Sequence, residues 1–286
     1  MPRLIINADD LGLTSGVNRA IDRASREGVV TSATLMANSR AFKEAVALCK
    51  NLPNLRIGCH IVLIDGEPIS TGIPSLTDGA GKFKSNVKAF ALAAIQKKIS
   101  PDEIQSEAEA QIRKIQAAGI TLTHVDTHKH THMFPHVLRP LIKAAQACGI
   151  RAIRNPFEPF RAWTASVASK PGLWARAFEV TLLLKFANAS RRIIAQEGLS
   201  TTDGTVGVIT TGRLDQELLV RTIQALPEGT WELVCHPGYA DSDLNAVGTR
   251  LINSRQIELE ALISNQTRQA LKQRGVELIS YGELSP

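Results

Sequence analysis

The sequence predicts an α/β fold, a parallel (β/α) barrel in a single domain. Three observations carry that prediction. About eight short β-rich runs alternate with helical stretches, the pattern of a parallel sheet with helical cover. The chemically active residues Asp9, Asp10, His60, Asp126, His128, Arg154 and His236 fall at the C-terminal ends of five of those runs. A barrel gathers its site at that face, whereas a doubly wound sheet does so only where its strand order reverses. No repeat, low-complexity tract or linker divides the chain.

In order, Arg3 to Ala8 (RLIINA) is an apolar run ending in Asp9-Asp10 and reads as a buried strand. Ser15 is placed to cap a helix from about Gly16 to Arg26, stopped by Gly28. Thr31 to Met36 is the second strand, and Ser39 is expected to cap a helix running to Lys50. Arg56 to Leu63 is the third strand, and the Gly/Pro/Ser/Asp-rich residues 64–83 form a long loop. Helices follow at about 86–98 and 101–118, with Pro101 at a first helical position and Gly119 beyond the end. Leu122 to Val125 is a strand, 135–147 a helix, and Ile150 to Ile153 a strand ending in Arg154-Asn-Pro-Phe. Residues 170–197 read as largely helical, with an apolar patch at Leu182, Leu183, Leu184 and Phe186. Val206 to Thr210 is a strand and 214–225 a helix. Trp231 to Cys235 is a strand running into His236-Pro-Gly, followed by one long helix at 246–273 and a last strand at Val276 to Ser280.

Composition bounds the function. A hydrophobic fraction of 44% supports a sizeable core. The four cysteines are scattered without a CxxC pair, which points to a reducing cytoplasm rather than a disulfide framework. MPRLIINADD lacks the apolar segment of a secretory signal, and no apolar run is long enough to span a bilayer. The formal charge is +6, and residues 151–192 alone hold eight Lys/Arg against Glu158 and Glu179. No helix-turn-helix, zinc-finger or RNP pattern accompanies this basic stretch, so nucleic acid is not the expected partner. A solvated basic helix and a peripheral contact with an anionic membrane surface remain open for 151–192.

Five of the seven histidines crowd into thirteen residues, His124 to His136, which suggests a divalent-metal site. Adjacent carboxylates desolvated together repel, so Asp9-Asp10 calls for a cation nearby, with one Asp for the metal and one for general-base work; an Asx turn is the plain alternative. Strand alternation sends His60 and Cys59 to opposite faces, and likewise His236 and Cys235, leaving the cysteines as buried structural thiols. Asp126 and His128 are expected inside the mouth, with His130 and His132 on the loop above, as a solvated loop or the lining of an access path. His236, before a turn at Gly238, is a candidate general acid. A His/Asp ligand set with an open position is the pattern of a catalytic metal that activates water.

Ala8-Asp9-Asp10-Leu11-Gly12, Gly58-Cys59-His60-Ile61, the run Thr123 to His132 and Cys235-His236-Pro237-Gly238 stand in one order along nearly the whole chain. In these motifs the sequence resembles the YdjC-like carbohydrate deacetylases, and within them it is most similar to the hopanoid-biosynthesis-associated HpnK members. The resemblance implies a distorted TIM-like barrel that removes N-acetyl groups from amino sugars with one divalent metal. It implies Asp10, His60 and His128 as metal ligands, Asp9 as general base, His236 as general acid, and Arg154 as the arginine that orients Asp9. Cys59 departs from the leucine usual in relatives, but faces away from the ligands. The donor set suits zinc better than magnesium, which is the alternative ion. The expected substrate is an N-acetylated sugar or glycolipid, specifically an N-acetylglucosaminyl hopanoid, with a chitooligosaccharide as the alternative. A glycolipid substrate would place the enzyme at the inner membrane face, with about 155–200 as a basic helical insertion; a homodimer is a further use of that surface. A barrel phosphoesterase and a non-catalytic carbohydrate-binding protein are the rival functions.

Overall fold

The structure, a computed structural model, describes residues 1–159 and 170–284. β1 (Arg3–Leu11) is its central strand: after Arg3 it is buried along its whole length, as a strand covered on both faces must be. β2 (Ser32–Leu35), β3 (Arg56–Ile61) and β4 (Leu122–Thr127) follow on one side. β6 (Thr230–Cys235) and then β5 (Gly204–Val206) lie on the other. β7 (Glu277–Ile279) pairs with the first residues of β1, Arg3 to Ile5. Every strand pairing is parallel. The sheet curls into a half-barrel, and single parallel bridges, Val125 with Ile153 and Ala152 with Ser200, carry it beyond β4.

The helices lie between strands, as expected. They are α1 (Ser15–Arg26), α2 (Phe42–Cys49), α3 (Val87–Ile95), α4 (Pro101–Ala117) and α5 (Pro135–Ala147). After them come α6 (Trp174–Leu183), α7 (Ala187–Gln196) and α8 (Gln216–Gln224). Their apolar faces pack with the strands into one large core, and Ile5, Ala152, Ile279 and Tyr281 form a second, smaller cluster. Asn86, Ser100 and Asp215 cap α3, α4 and α8 through side-chain oxygens.

Several expectations need correction. The sheet has seven strands among the described residues, not eight, because 150–153 forms only bridges. The strand expected at Val206 to Thr210 ends at Val206, since Gly207 turns to φ +96° against Val234 O. Thr14, not Ser15, caps α1, and α2 starts at Phe42 because the Ser39 hydroxyl donates to Met36 O instead of capping. The long helix expected at 246–273 is two, α10 (Asn253–Ile263) and α11 (Asn265–Arg274), preceded by a short α9 (Ser242–Ala246) that ends where the long helix was expected to begin. Ser264 makes the last break, adopting an extended backbone and accepting Thr267 N–H as the cap of α11. The patch at Leu182 to Phe186 divides: Leu182 is exposed, while Phe186 packs edge-on against Phe134. Part of the segment expected as a basic insertion, 160–169 with Arg161, lies outside the described residues. All four cysteines are free, and Cys59 is fully buried in the core.

Candidate metal centre

The site begins with an irregularity in β1. Ala8 pairs with Ala33 and Leu11 with Leu35, so β1 spends one residue more than β2 between the pairs. The extra residue is absorbed at Asp10, which adopts φ +66°. In an unbroken strand Asp9 and Asp10 would point to opposite faces. The bulge brings both carboxylates into the same buried cluster. A non-glycine residue in this conformation costs about 1–2 kcal/mol, a strain of the kind found at functional sites.

Three donor atoms from three strand ends converge. Asp10 Oδ1 lies 3.4 Å from His60 Nε2 and 3.3 Å from His128 Nδ1, and the two imidazole nitrogens are 3.3 Å apart. Asp10 Oδ1 is buried and has no hydrogen-bond partner. Ligands at about 2.0–2.1 Å from a tetrahedral ion are separated by about 3.3–3.4 Å, so the triangle has the edges such an ion requires. The set fits a divalent cation.

Surrounding groups fix the direction of each donor. Asp126 Oδ1 lies 2.7 Å from His60 Nδ1, so a neutral His60 donates there and turns Nε2 toward Asp10. Burial alone would depress His60, but Asp126 and Asp9 outweigh it and push the imidazole up to about 10. A pocket negative enough to hold a proton at that nitrogen is suited to a cation. Arg255 Nη2 donates to Asp10 Oδ2 at 2.6 Å. Burial would raise the Asp10 carboxyl, but Arg255, His128 and His60 hold it well below the usual carboxylate range.

Beneath the donors lies a buried ionic bundle. Arg154 has no solvent exposure and clamps Asp9 with both guanidinium ends, Nη2 to Oδ1 at 2.7 Å and Nη1 to Oδ2 at 2.9 Å. It also reaches Asp126 at 2.5 Å and Glu232 at 2.7 Å. Asn7 Nδ2 and the Thr34 hydroxyl add contacts of 2.9 and 3.2 Å to Asp9 Oδ1. Burial raises Asp9 and Arg154 lowers it more, leaving it ionised. The buried carboxylates Asp9, Asp10, Asp126 and Glu232 outnumber the guanidinium groups of Arg154 and Arg255, an imbalance that a bound cation reduces.

His236 arrives at the end of β6. Its Nε2 is 3.9 Å from Asp9 Oδ2, and its main-chain N–H donates to Glu258 at 2.6 Å. Burial pushes His236 down to about 4 despite Asp9 and Asp10, so it is neutral at pH 7.

The expected site residues Asp9, Asp10, His60, His128, Arg154 and His236 thus gather in one cluster, with Asp126 among them. The other histidines do not join the donor triangle. His124 stacks on Tyr281, ring centroids 3.6 Å apart, and His136 bonds Ile99 O. His132 is fully buried and held by Thr127, which removes it from any exposed access path; His130 is half-buried. Lys129 and His130 both take positive φ, forming the sharp turn that follows His128 just beyond the end of β4. Glu232, Arg255, Glu258, Asn7 and Thr34 escaped the sequence reading. Glu232 and Asn7 share strand parity with His236 and Asp9, a signal that could have found them; the helical Arg255 and Glu258 carry no such mark.

The sequence profile of the family described as YdjC-like protein matches residues 3–273. A carbohydrate deacetylase of Brevibacillus brevis is 32% identical over 283 residues, 99% of each chain. A chitooligosaccharide deacetylase of Proteus mirabilis is 31% identical over 98% of each. A solved structure from Enterococcus faecalis V583, named for cellobiose-phosphate cleavage, superposes with a TM-score of 0.78 at 26% identity, covering 98% of this chain and 97% of that one.

Proposed function

This chain belongs to the YdjC-like family, and we propose that it is a metal-dependent deacetylase that hydrolyses the N-acetyl group of an N-acetylamino sugar. The observation that carries the reading is the donor triangle of Asp10, His60 and His128 beside an ionised carboxylate, Asp9, and an imidazole, His236, that are free of it. Asp10, His60 and His128 hold the ion. Two imidazoles and one carboxylate favour zinc over magnesium. When bound, the ion would supply Lewis acidity toward the amide carbonyl and lower the pKa of a water.

The chain's own groups supply the proton chemistry. Arg154 grips Asp9 at both oxygens, fixing its orientation and keeping it ionised, so it accepts a proton from the water. The strength of that grip makes Asp9 a weak base, suited to a water whose acidity a bound ion would raise. His236 faces Asp9 across 3.9 Å and delivers a proton to the departing nitrogen. Being neutral at rest, it must first take up the proton that Asp9 removes from the water, and it then passes that proton to the nitrogen as the C–N bond breaks. The products are a free amine and acetate.

The finer reading is a glycolipid substrate, an N-acetylglucosaminyl hopanoid, met at the inner membrane face. The overall resemblance to the HpnK members supports it. So does α6, which exposes Trp174 (58%), Phe178 (67%) and Leu182 (55%) at four-residue spacing. Lys185, Arg191 and Arg192 are exposed nearby, the combination that binds an anionic lipid surface. No described helix is long and apolar enough to cross a membrane. A soluble chitooligosaccharide is the second substrate class, favoured by the Proteus mirabilis relative.

Metal analysis combined with acetate release from N-acetylglucosaminyl hopanoid, chitobiose and free N-acetylglucosamine tests the proposal. Bound metal and acetate from at least one are expected; release of phosphate from phosphate esters without acetate release would overturn it. Phe178→Glu should abolish binding to anionic vesicles, and undiminished binding rejects the docking role of α6.

A further inference from the structure

Arg255 lies outside every motif discussed above. It sits on α10, 245 residues from Asp10 in sequence, yet it is 1% exposed and bonds that carboxylate directly. Its Nε donates to Leu251 O at 3.0 Å, and its carbonyl accepts the Gly238 N–H at 3.2 Å. A Cβ at Gly238 would lie 2.9 Å from Arg255 Cδ and 3.1 Å from its Cβ, so the turn after His236 rests against the arginine stem. Three residues along the same helix, Glu258 accepts the His236 main-chain N–H. The guanidinium is therefore located from both sides, by its helix and by the turn.

The consequence lies in how Asp10 is divided. Oδ2 is occupied by Arg255 at 2.6 Å, while Oδ1 is buried without a partner and faces both imidazoles. A carboxylate can give a metal one oxygen or two, and the second would fill a position that a catalytic ion leaves open. We propose that Arg255 is a positioning residue that withholds Oδ2, so that Asp10 binds the ion through Oδ1 alone. Arg255 touches neither the donor triangle's centre nor the reacting atoms; it acts through Asp10.

The inference rests on the metal site of the proposed function, and the test separates the two. Wild-type protein is loaded with Co²⁺, whose visible absorption is strong at four-coordinate sites and weakens as coordination number rises. Arg255→Met frees Oδ2 and should lower that absorption severalfold with cobalt still bound. Arg255→Lys restores a cation against Oδ2 and should return the wild-type spectrum. An unchanged spectrum in folded, cobalt-loaded Arg255→Met overturns the inference. If that variant does not fold, a crystal structure of metal-loaded wild type decides: Asp10 bound through one oxygen with Arg255 still on the other supports it, and a bidentate Asp10 overturns it. Failure of the wild type to take up Co²⁺ or Zn²⁺ would instead defeat the metal-site reading itself.

Discussion

Asp126→Asn separates orientation of a ligand from ligation. Asp126 touches His60 through Oδ1 at 2.7 Å, and through Oδ2 it accepts from Arg154 at 2.5 Å and from Thr34 at 3.2 Å. Asparagine offers one acceptor and one NH₂ group. If its oxygen stays on His60, its NH₂ opposes the Arg154 N–H, two donors in a fully buried position. The charged guanidinium therefore claims the oxygen, and the NH₂ faces His60 Nδ1. That imidazole must then accept at Nδ1 and carry its proton on Nε2, the atom 3.4 Å from Asp10 Oδ1. The proton occupies the lone pair needed for the metal. Loss of such an orienting partner costs about 10–100-fold in metal affinity, or about 1.4–2.7 kcal/mol. Zinc titration against a chromophoric chelator at pH 7 measures the affinity, and thermal melting checks the fold. An affinity within twofold of wild type in a natively melting variant would refute the orientation argument.

Asp9→Asn should keep metal binding within about threefold while lowering acetate release by about 10²–10⁴-fold, the usual worth of a general base; a wild-type rate removes Asp9 from that role. His128→Ala deletes one corner of the donor triangle and should lose stoichiometric metal, so unchanged metal content after dialysis refutes its assignment. Glu158 tests the electrostatics away from the site. Burial raises its carboxyl from 4.5 to about 7, while the N–H groups of Ile209 and Gly207 pull the other way. Its raised folded value means that its stabilising contribution is complete below about pH 4.5 and is lost as pH rises through about 7. Glu158→Gln cannot ionise, so its stability relative to wild type should rise by up to about 3 kcal/mol between pH 4.5 and 8, read from urea melts. Parallel pH profiles for the two proteins would contradict that assignment.

Most of the site was legible because it obeys two short-range rules. His60, Asp126, His128, Arg154 and His236 end parallel segments, and alternate residues of a strand share a face. The same rules account for the buried cysteines. Glu232 obeyed them too, two residues before Val234 and four before His236, but a lone glutamate inside an apolar strand drew no attention. The inward turn of both Asp9 and Asp10 lies outside those rules, because it depends on a bulge with positive φ at an aspartate, where no glycine marks the chain. Arg255 and Glu258 were illegible for a different reason. They sit on a helix whose register against β1 and β6 is set by tertiary packing alone. The break in the predicted long helix at 246–273 did have a local signal: Ser264 followed three residues later by Thr267, whose N–H it caps.

Two adjacent buried carboxylates ordinarily compete, and one takes up a proton. Here each lies against a guanidinium, Asp9 on Arg154 and Asp10 on Arg255, and both stay ionised. Arg154 is shared with Asp126 and Glu232, so the cluster as a whole still calls for a cation. The contacts divide unequally. Arg154 covers both oxygens of Asp9, whereas Arg255 covers only one of Asp10. The uncovered oxygen is the one that faces His60 and His128. Two arginines thus turn a simple Asp-Asp dipeptide into two unlike groups, one held at both oxygens and oriented for proton transfer, the other with a single oxygen left for a metal.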